Sequence, residues 1–150
     1  METNGVVTQP YRVLVDTNYL LDYIDSARKE HQLAVDLMHR MQEREVYPFA
    51  AASSYKDVYY ILNRILKDEA EARWLVFGLI DCVPIGAVDL KMEYLPRAIS
   101  SDEPDFEDGL IRSVAEQEKA TAIITRDKKA FEDSYIPSFS PAEFMALLTS

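Results

Sequence analysis

Two short apolar segments, near opposite ends of the chain, constrain the fold more than any other feature. They are "RVLV" (residues 12–15) and "TAIIT" (residues 121–125). Both are continuous runs rich in β-branched residues, in which apolar and polar side chains do not alternate. Such runs are typical of strands that are buried on both faces of a sheet. A strand of this kind needs helices above and below it, so the two segments predict a covered, parallel sheet.

Three further segments predict strands, and amphipathic helices separate them. The additional strands are "VYPFAA" (46–51), "CVPI" (82–85) and "IPSF" (136–139). Helical spacing of apolar residues predicts helices over "TNYLLDYI", residues 30–43, Ser54 to Leu66, "AEARWLVFGLI", "FEDGLIRSVAEQEKA" and "SPAEFMALL". A helix at "LKMEYLPRAI" is expected to break or kink at Pro96. Alternating strands and helices predict a three-layer α/β/α fold with a central parallel sheet of four to five strands.

Length and cysteine content limit the organisation of the chain. We expect an N-terminal extension over residues 1–11 and one domain over residues 12–150, because 150 residues suit a single domain. The single cysteine, Cys82, excludes an internal disulfide framework and fits a reducing compartment. Neither a secretory signal nor an apolar run of the ~18 residues needed for a membrane span is visible. We therefore expect a cytoplasmic protein with no membrane partner.

The charge balance argues against passive binding to nucleic acid. The chain has 16 basic and 26 acidic residues, a net charge of −10, and binding to a phosphate backbone depends on lysine and arginine. An enzyme that holds nucleic acid through metal ions is not excluded. The charge is also uneven: residues 101–118 hold seven acids and one base, and residues 119–129 hold four bases and one acid. This pattern predicts an acidic pocket beside a basic lip.

Acidic residues follow or flank the predicted strands. Parallel α/β sheets bind ligands outside the carboxyl ends of their strands, and the acids near those ends are Asp16, Asp57, Asp105, Glu107, Asp108 and Asp127. Converging aspartates repel one another unless a cation lies between them, and Mg²⁺ or Mn²⁺ prefers such oxygen ligands. A site of this kind serves phosphodiester hydrolysis, in which the metal lowers the pKa of an attacking water and stabilises charge on the phosphate.

Each acid also has a purely structural interpretation. Asp16 is a suitable N-cap for the following helix, Asp57 and the acids from Asp105 to Asp108 suit the positive end of a helix dipole, and Asp127 suits a turn. The joint pattern favours the site over these separate explanations. The tyrosines at positions 55, 59 and 60 are interpreted as packing residues and not as a platform for base stacking.

Five segments, in order, resemble the PIN-domain family over the chain from Arg12 to Leu148. They are "VLVDTN", "AASSYKDVYYIL", "DFEDGL", "IITRDKKAF" and "IPSFSPAEF". The resemblance implies a metal-dependent ribonuclease that uses Mg²⁺ or Mn²⁺. The metal-binding and catalytic acids that it implies are Asp16, Asp57, Asp108 and Asp127, with Asp105 as an accessory acid. It also implies that Thr17, Asn18 and Thr125 support these acids through hydrogen bonds. The second acid of the family is usually glutamate, and Asp57 is shorter by one methylene.

The resemblance extends to partners, because many small PIN proteins resemble VapC-like toxins of bacterial toxin–antitoxin pairs. It implies an RNA substrate, a cognate antitoxin and a homodimer. Arg126, Lys128 and Lys129 are the expected contacts to the RNA backbone, and a solvated basic turn is the alternative interpretation of these three.

Two other functions stay open from the residues. A PIN fold with weakened metal affinity would act as a module that binds RNA or protein. An α/β phosphotransferase or phosphatase with Asp16 as nucleophile ranks last, because that class has a second aspartate where Asn18 stands here.

Overall fold

The computed structural model describes residues 11–100 and 105–150, and the predicted extension over residues 1–11 lies outside them except for Tyr11. Five strands form one parallel sheet in the order β3-β2-β1-β4-β5. They are β1 (Tyr11–Val15), β2 (Val46–Ala51), β3 (Gly86–Val88), β4 (Ala122–Ile124) and β5 (Ser138–Phe139). The predicted parallel sheet of four to five strands is confirmed.

Helices cover both faces of this sheet. They are α1 (Thr17–Ile24), α2 (His31–Glu43), α3 (Ala52–Leu66), α4 (Glu69–Cys82), α5 (Leu95–Ser100), α6 (Phe106–Gln117) and α7 (Pro141–Thr149). Two short 3₁₀ turns occupy Met92–Tyr94 and Lys128–Phe131. Within the described parts of the chain, none of the helices is both long and apolar enough to cross a membrane.

The strand β1 shows why the sheet must be covered twice. Val13 and Val15 belong to a core cluster that includes residues of α1, α2, α3, α4 and α7. Leu14, which points to the other face, belongs to a second cluster with Phe49 of β2 and Val114 of α6. All three β1 side chains are fully buried. Two cores, one on each face, confirm the three-layer α/β/α architecture.

The prediction of a strand over residues 82–85 is wrong. Helix α4 continues through Cys82, and the strand occupies Gly86–Val88 instead. Pro84 has no backbone N–H to donate to a strand ladder, so the apolar run before it is a poor strand. Ile85 of this run is nevertheless buried in the core.

Pro96 lies within a helix, not at a break. It occupies the second position of α5, directly after a 3₁₀ turn, and the first turn of a helix does not require its N–H. Helix α7 begins with a capping box: the Ser140 hydroxyl accepts from the Glu143 N–H, and the Glu143 carboxylate accepts from the Ser140 N–H.

Candidate active site

An open cavity of about 730 Å³ lies where the carboxyl ends of β1, β2 and β4 meet the first turns of α1, α3 and α6. All five aspartates that the sequence singles out line it, together with Glu107. These acids come from four separate parts of the chain, and the parallel order β2-β1-β4 places those parts at one edge. The structure therefore brings the predicted acids together around one space.

Asp16 lies between β1 and α1 and is half-buried. It follows β1 and caps α1, with its Oδ1 accepting the Tyr19 N–H at 3.0 Å. Its own N–H donates to the Ile124 carbonyl at 3.3 Å, which ties β1 to β4 at the cavity. Burial raises the pKa of Asp16, and hydrogen bonds from Thr125 and Tyr19 oppose the rise without cancelling it. An ionised Asp16 is therefore poorly compensated by the protein alone.

Thr125 connects two of the acids. Its buried hydroxyl accepts the Asp127 N–H at 3.0 Å, and the same side chain forms a hydrogen bond with Asp16. Thr17 and Asn18 line the cavity as well. Within residues 11–100 and 105–150, however, neither of their side chains forms a hydrogen bond with an acid.

The remaining acids lie on α3 and α6. Asp57 is half-buried, and the Nζ of Lys56 lies 3.4 Å from its Oδ1. Asp105 caps α6, since its Oδ1 accepts from the N–H groups of Glu107 at 2.8 Å and Asp108 at 3.3 Å. Asp108 is half-buried in the first turn of the same helix.

The chemistry of the donors fits a hard divalent cation. The groups that could ligate an ion from the cavity wall are carboxylate, hydroxyl and amide oxygens, which Mg²⁺ and Mn²⁺ prefer. In the described part of the chain, however, no three His, Cys, Asp or Glu side chains are close enough together to hold one ion. Asp16 and Asp105 use an oxygen in capping, and Asp57 lies against Lys56. In this arrangement the acids of the described residues therefore line one space without converging on a single ion.

The three predicted RNA-binding cations do not line the cavity. Arg126 is paired with Asp22, and its Nε lies 3.4 Å from Oδ2 of that carboxylate. Lys128 Nζ lies 2.9 Å from Oε1 of Glu143 on α7. Lys129 is exposed on the turn outside the cavity.

Other residues that sequence reasoning missed do line the cavity. They are Lys56, Tyr60 and Arg64 of α3 and Phe106 at the start of α6. The interpretation of the three tyrosines is therefore only partly right: Tyr55 is buried and Tyr59 packs on the core, but Tyr60 is 57% exposed at the cavity. The sequence could have predicted the α3 residues from their spacing. Lys56, Tyr60 and Arg64 are four residues apart, which places them on one stripe of the helix beside Asp57.

The fold and the cavity define a parallel α/β protein with an oxygen-rich pocket at the carboxyl edge of its sheet. The PIN domain pattern matches residues 12–129, so the chain belongs to the PIN-domain family. A sequence relative is ribonuclease VapC1 of Aquifex aeolicus (strain VF5), 23% identical over 121 residues that span 80% of this chain and 84% of the relative.

Solved structures share the fold at low identity. VapC20 of Mycobacterium tuberculosis, described as a toxin that cleaves the sarcin–ricin loop, is 13% identical with a TM-score of 0.58, and the match covers 74% of this chain and 86% of that one. VapBC2 of Rickettsia felis, solved with a DNA fragment from its promoter, is 12% identical with a TM-score of 0.63, and the match covers 86% of this chain and 98% of that one. At such identities the structural likeness establishes the fold alone.

Proposed function

We propose that this protein is a divalent-metal-dependent endoribonuclease that hydrolyses RNA phosphodiester bonds in the cytoplasm. The observation that carries the proposal is the cavity itself, in which five aspartates from four parts of the chain surround one space at the carboxyl edge of the sheet. Membership of the PIN-domain family and the similarity to ribonuclease VapC1 support the same reaction.

Asp16 and Asp108 would hold the main cation, Mg²⁺ or Mn²⁺. Asp57 and Asp127 would complete the oxygen shell or recruit a second ion, and Asp105 is an accessory acid. When bound, the cation lowers the pKa of the attacking water and stabilises the negative charge that develops on the phosphate. Thr125 keeps Asp16 and Asp127 in position through its two hydrogen bonds.

The raised pKa of Asp16 supports a cation at this position. Burial disfavours the ionised carboxylate, and an adjacent divalent ion would reverse that preference. The oxygen-only character of the other donors selects a hard ion over zinc or copper.

We also propose that the ribonuclease is the toxin of a type II toxin–antitoxin pair, held inactive by a cognate antitoxin, and that it forms a homodimer. Structures of toxin–antitoxin complexes with the same fold, from Rickettsia felis and Klebsiella pneumoniae, support an antitoxin partner. Helix α4 also exposes large apolar side chains, with Trp74 71% and Phe77 56% exposed. Contiguous apolar surface of this kind is typical of protein–protein contacts.

Cleavage of a mixed single-stranded RNA pool tests the reaction. The purified protein is incubated with Mn²⁺, with Mg²⁺ or with EDTA, beside Asp16→Asn, Asp108→Asn and the control Asp36→Asn. Asp36 is exposed on α2, away from the cavity. We expect metal-dependent cutting that both cavity variants lose and the control keeps. If Asp16→Asn and Asp108→Asn cut RNA as well as the parent does, the proposed metal-dependent mechanism is wrong. If the parent cuts no RNA at all, the result favours a PIN fold that only binds RNA or protein.

A further inference from the structure

The wall of the cavity holds aromatic and cationic side chains that metal chemistry does not use. Tyr60 and Phe106 are 57% and 52% exposed, and both line the cavity. Lys56 and Arg64 line it as well. Exposed aromatic rings beside cations, in the same space as the acids, require an explanation beyond ion binding.

The α3 residues form one continuous stripe. Lys56, Tyr60 and Arg64 are separated by four residues each, so they lie on successive turns of one helix face and span about 12 Å. Lys56 is adjacent in sequence to Asp57, and the stripe leads away from that acid along α3. A ligand that enters the acidic end of the cavity can therefore continue along this stripe.

Tyr60 is held in place and still exposed. Its ring packs edge-to-face on Tyr59, with the ring centroids 5.0 Å apart and the planes at 72°, and Tyr59 packs on the core. This support limits the orientations of an exposed ring, which lowers the entropy lost when a flat ligand stacks on it. Phe106 belongs to neither core cluster of the described residues, so packing among them does not account for its presence.

Arg64 provides a positive charge that no acid among the described residues neutralises. It has no ion-pair partner in the part of the chain that the structure describes, whereas Lys56 lies 3.4 Å from Asp57. Because the whole chain has a net charge of −10, phosphate groups are attracted only where such a cation projects locally.

We infer that this stripe is a binding track for unpaired RNA, with a base stacked on Tyr60 and a backbone phosphate on Arg64. Phe106, at the start of α6, lines the same cavity and offers a second stacking surface. Aromatic rings interleaved with cations are how proteins hold single strands without reading sequence. A duplex keeps its bases stacked on one another, so it cannot use the rings in this way. The inference rests on the proposed ribonuclease function for its substrate, and its test is independent of cleavage.

Equilibrium binding in EDTA tests the track without turnover. Fluorescence anisotropy follows a labelled, unstructured short RNA of random sequence, at several salt concentrations, with the full-length protein. The variants are Tyr60→Ala, Tyr60→Phe and Arg64→Gln. The matched controls are Tyr47→Ala and Arg73→Gln, since Tyr47 is 50% exposed and Arg73 is also exposed, and neither lines the cavity.

We expect Tyr60→Ala to weaken binding about tenfold, within the range for loss of one stacked base. Tyr60→Phe keeps the ring and binds like the parent. Arg64→Gln lowers the slope of log affinity against log salt by about 0.7, the value for one phosphate contact to a single strand. Neither control changes affinity or slope, and Tyr60→Ala leaves binding to the same RNA in duplex form unchanged.

Two results would overturn the track: no RNA binding by the parent, or binding that Tyr60→Ala and Arg64→Gln leave intact. Cleavage by the parent in Mn²⁺ is measured separately. Tyr60-dependent binding without cleavage would contradict the ribonuclease and leave the track standing. Cleavage without Tyr60-dependent binding would contradict the track alone.

Discussion

The guanidinium of Arg126 lies against the buried carboxylate of Asp22, with Nε 3.4 Å from Oδ2 and Nη2 3.4 Å from Oδ1. Arg28 shares the same carboxylate and is closer, with its Nε 2.8 Å from Oδ1. The Asp22 side chain is only 2% exposed. Arg126 directly follows Thr125, so this pair connects α1 to the turn after β4 at the rim of the cavity. The basic residue expected to meet RNA is thus engaged within the protein.

The two arginines are expected to differ in their effect on stability. Arg28→Gln leaves a buried carboxylate with only the longer pair to Arg126, and we expect a loss of about 2 kcal/mol in the free energy of unfolding. Arg126→Gln leaves the shorter pair intact, and we expect a loss below about 1 kcal/mol. Urea unfolding at pH 7 measures both. In an Asp22→Asn background, both arginine substitutions should lower the free energy of unfolding by less. If Arg28→Gln costs as much there as in the parent, Arg28 stabilises the protein through a contact other than Asp22.

The fold was predictable because burial on both sheet faces leaves a simple pattern. The continuous apolar run of β1 has no alternation, and its three fully buried residues divide between the two cores. The position of β3 was not predictable in the same way. An apolar run ending in Ile85 suits a helix end, a connection or a strand equally, and only the pairing of Gly86 with Phe49 of β2 decides the register.

The candidate site was likewise predictable only in part. The acids were visible because parallel topology brings strand ends to one edge, whatever the details of packing. Their individual hydrogen bonds depend on rotamers and on neighbours far away in sequence, as with Asp16 and Thr125. The ion pairs of the basic lip at residues 126–129 were not predictable for the same reason, because Asp22 and Glu143, which pair with Arg126 and Lys128, are distant in sequence.

Asp57 is the acid whose length can be tested directly. Glutamate at this position would extend the reach of the carboxylate into the cavity by one methylene. We expect Asp57→Glu to cleave RNA at a lower Mn²⁺ concentration than the parent, and Asp57→Asn to lose at least about tenfold in rate, as for loss of a supporting group at a metal. The Mn²⁺ dependence of the initial cleavage rate measures both. Asp81→Asn, exposed at the end of α4, is the control.

Gly78 offers a stabilising substitution that does not touch the cavity. It lies inside α4, and a Cβ added there would meet nothing within 4 Å. Since glycine in a helix interior is less favourable than alanine, Gly78→Ala is expected to raise the free energy of unfolding by about 0.5–1 kcal/mol. Urea unfolding checks the value. A decrease would mean that α4 deviates from regular helix at this position or meets a partner there.

Asp16 links the proposed metal site to stability through its pKa. Burial raises the pKa of Asp16 in the folded protein above its ordinary value of 3.8. The folded state therefore binds the proton more tightly than the unfolded state, so this group stabilises the protein at low pH, and the benefit disappears as the pH rises through the folded pKa. At neutral pH without divalent ions, the raised pKa of Asp16 therefore makes the folded state less stable than an unperturbed carboxyl would.

Asp16→Asn removes the cost of burying an ionisable carboxyl and keeps the helix cap, because an asparagine oxygen can also accept the Tyr19 N–H. In EDTA at pH 7 we expect the variant to be more stable than the parent, and the difference to vanish as the pH approaches 3.8.

Adding Mn²⁺ should stabilise the parent, since an ion that binds only the folded state shifts the equilibrium toward it. The variant should not respond, whereas Asp36→Asn should behave as the parent in every condition. Thermal unfolding across this pH range, with and without Mn²⁺, separates the two effects. If Asp16→Asn is less stable than the parent in EDTA, the prediction is wrong. The hydrogen bonds of the carboxylate would then stabilise the folded state by more than its burial destabilises it.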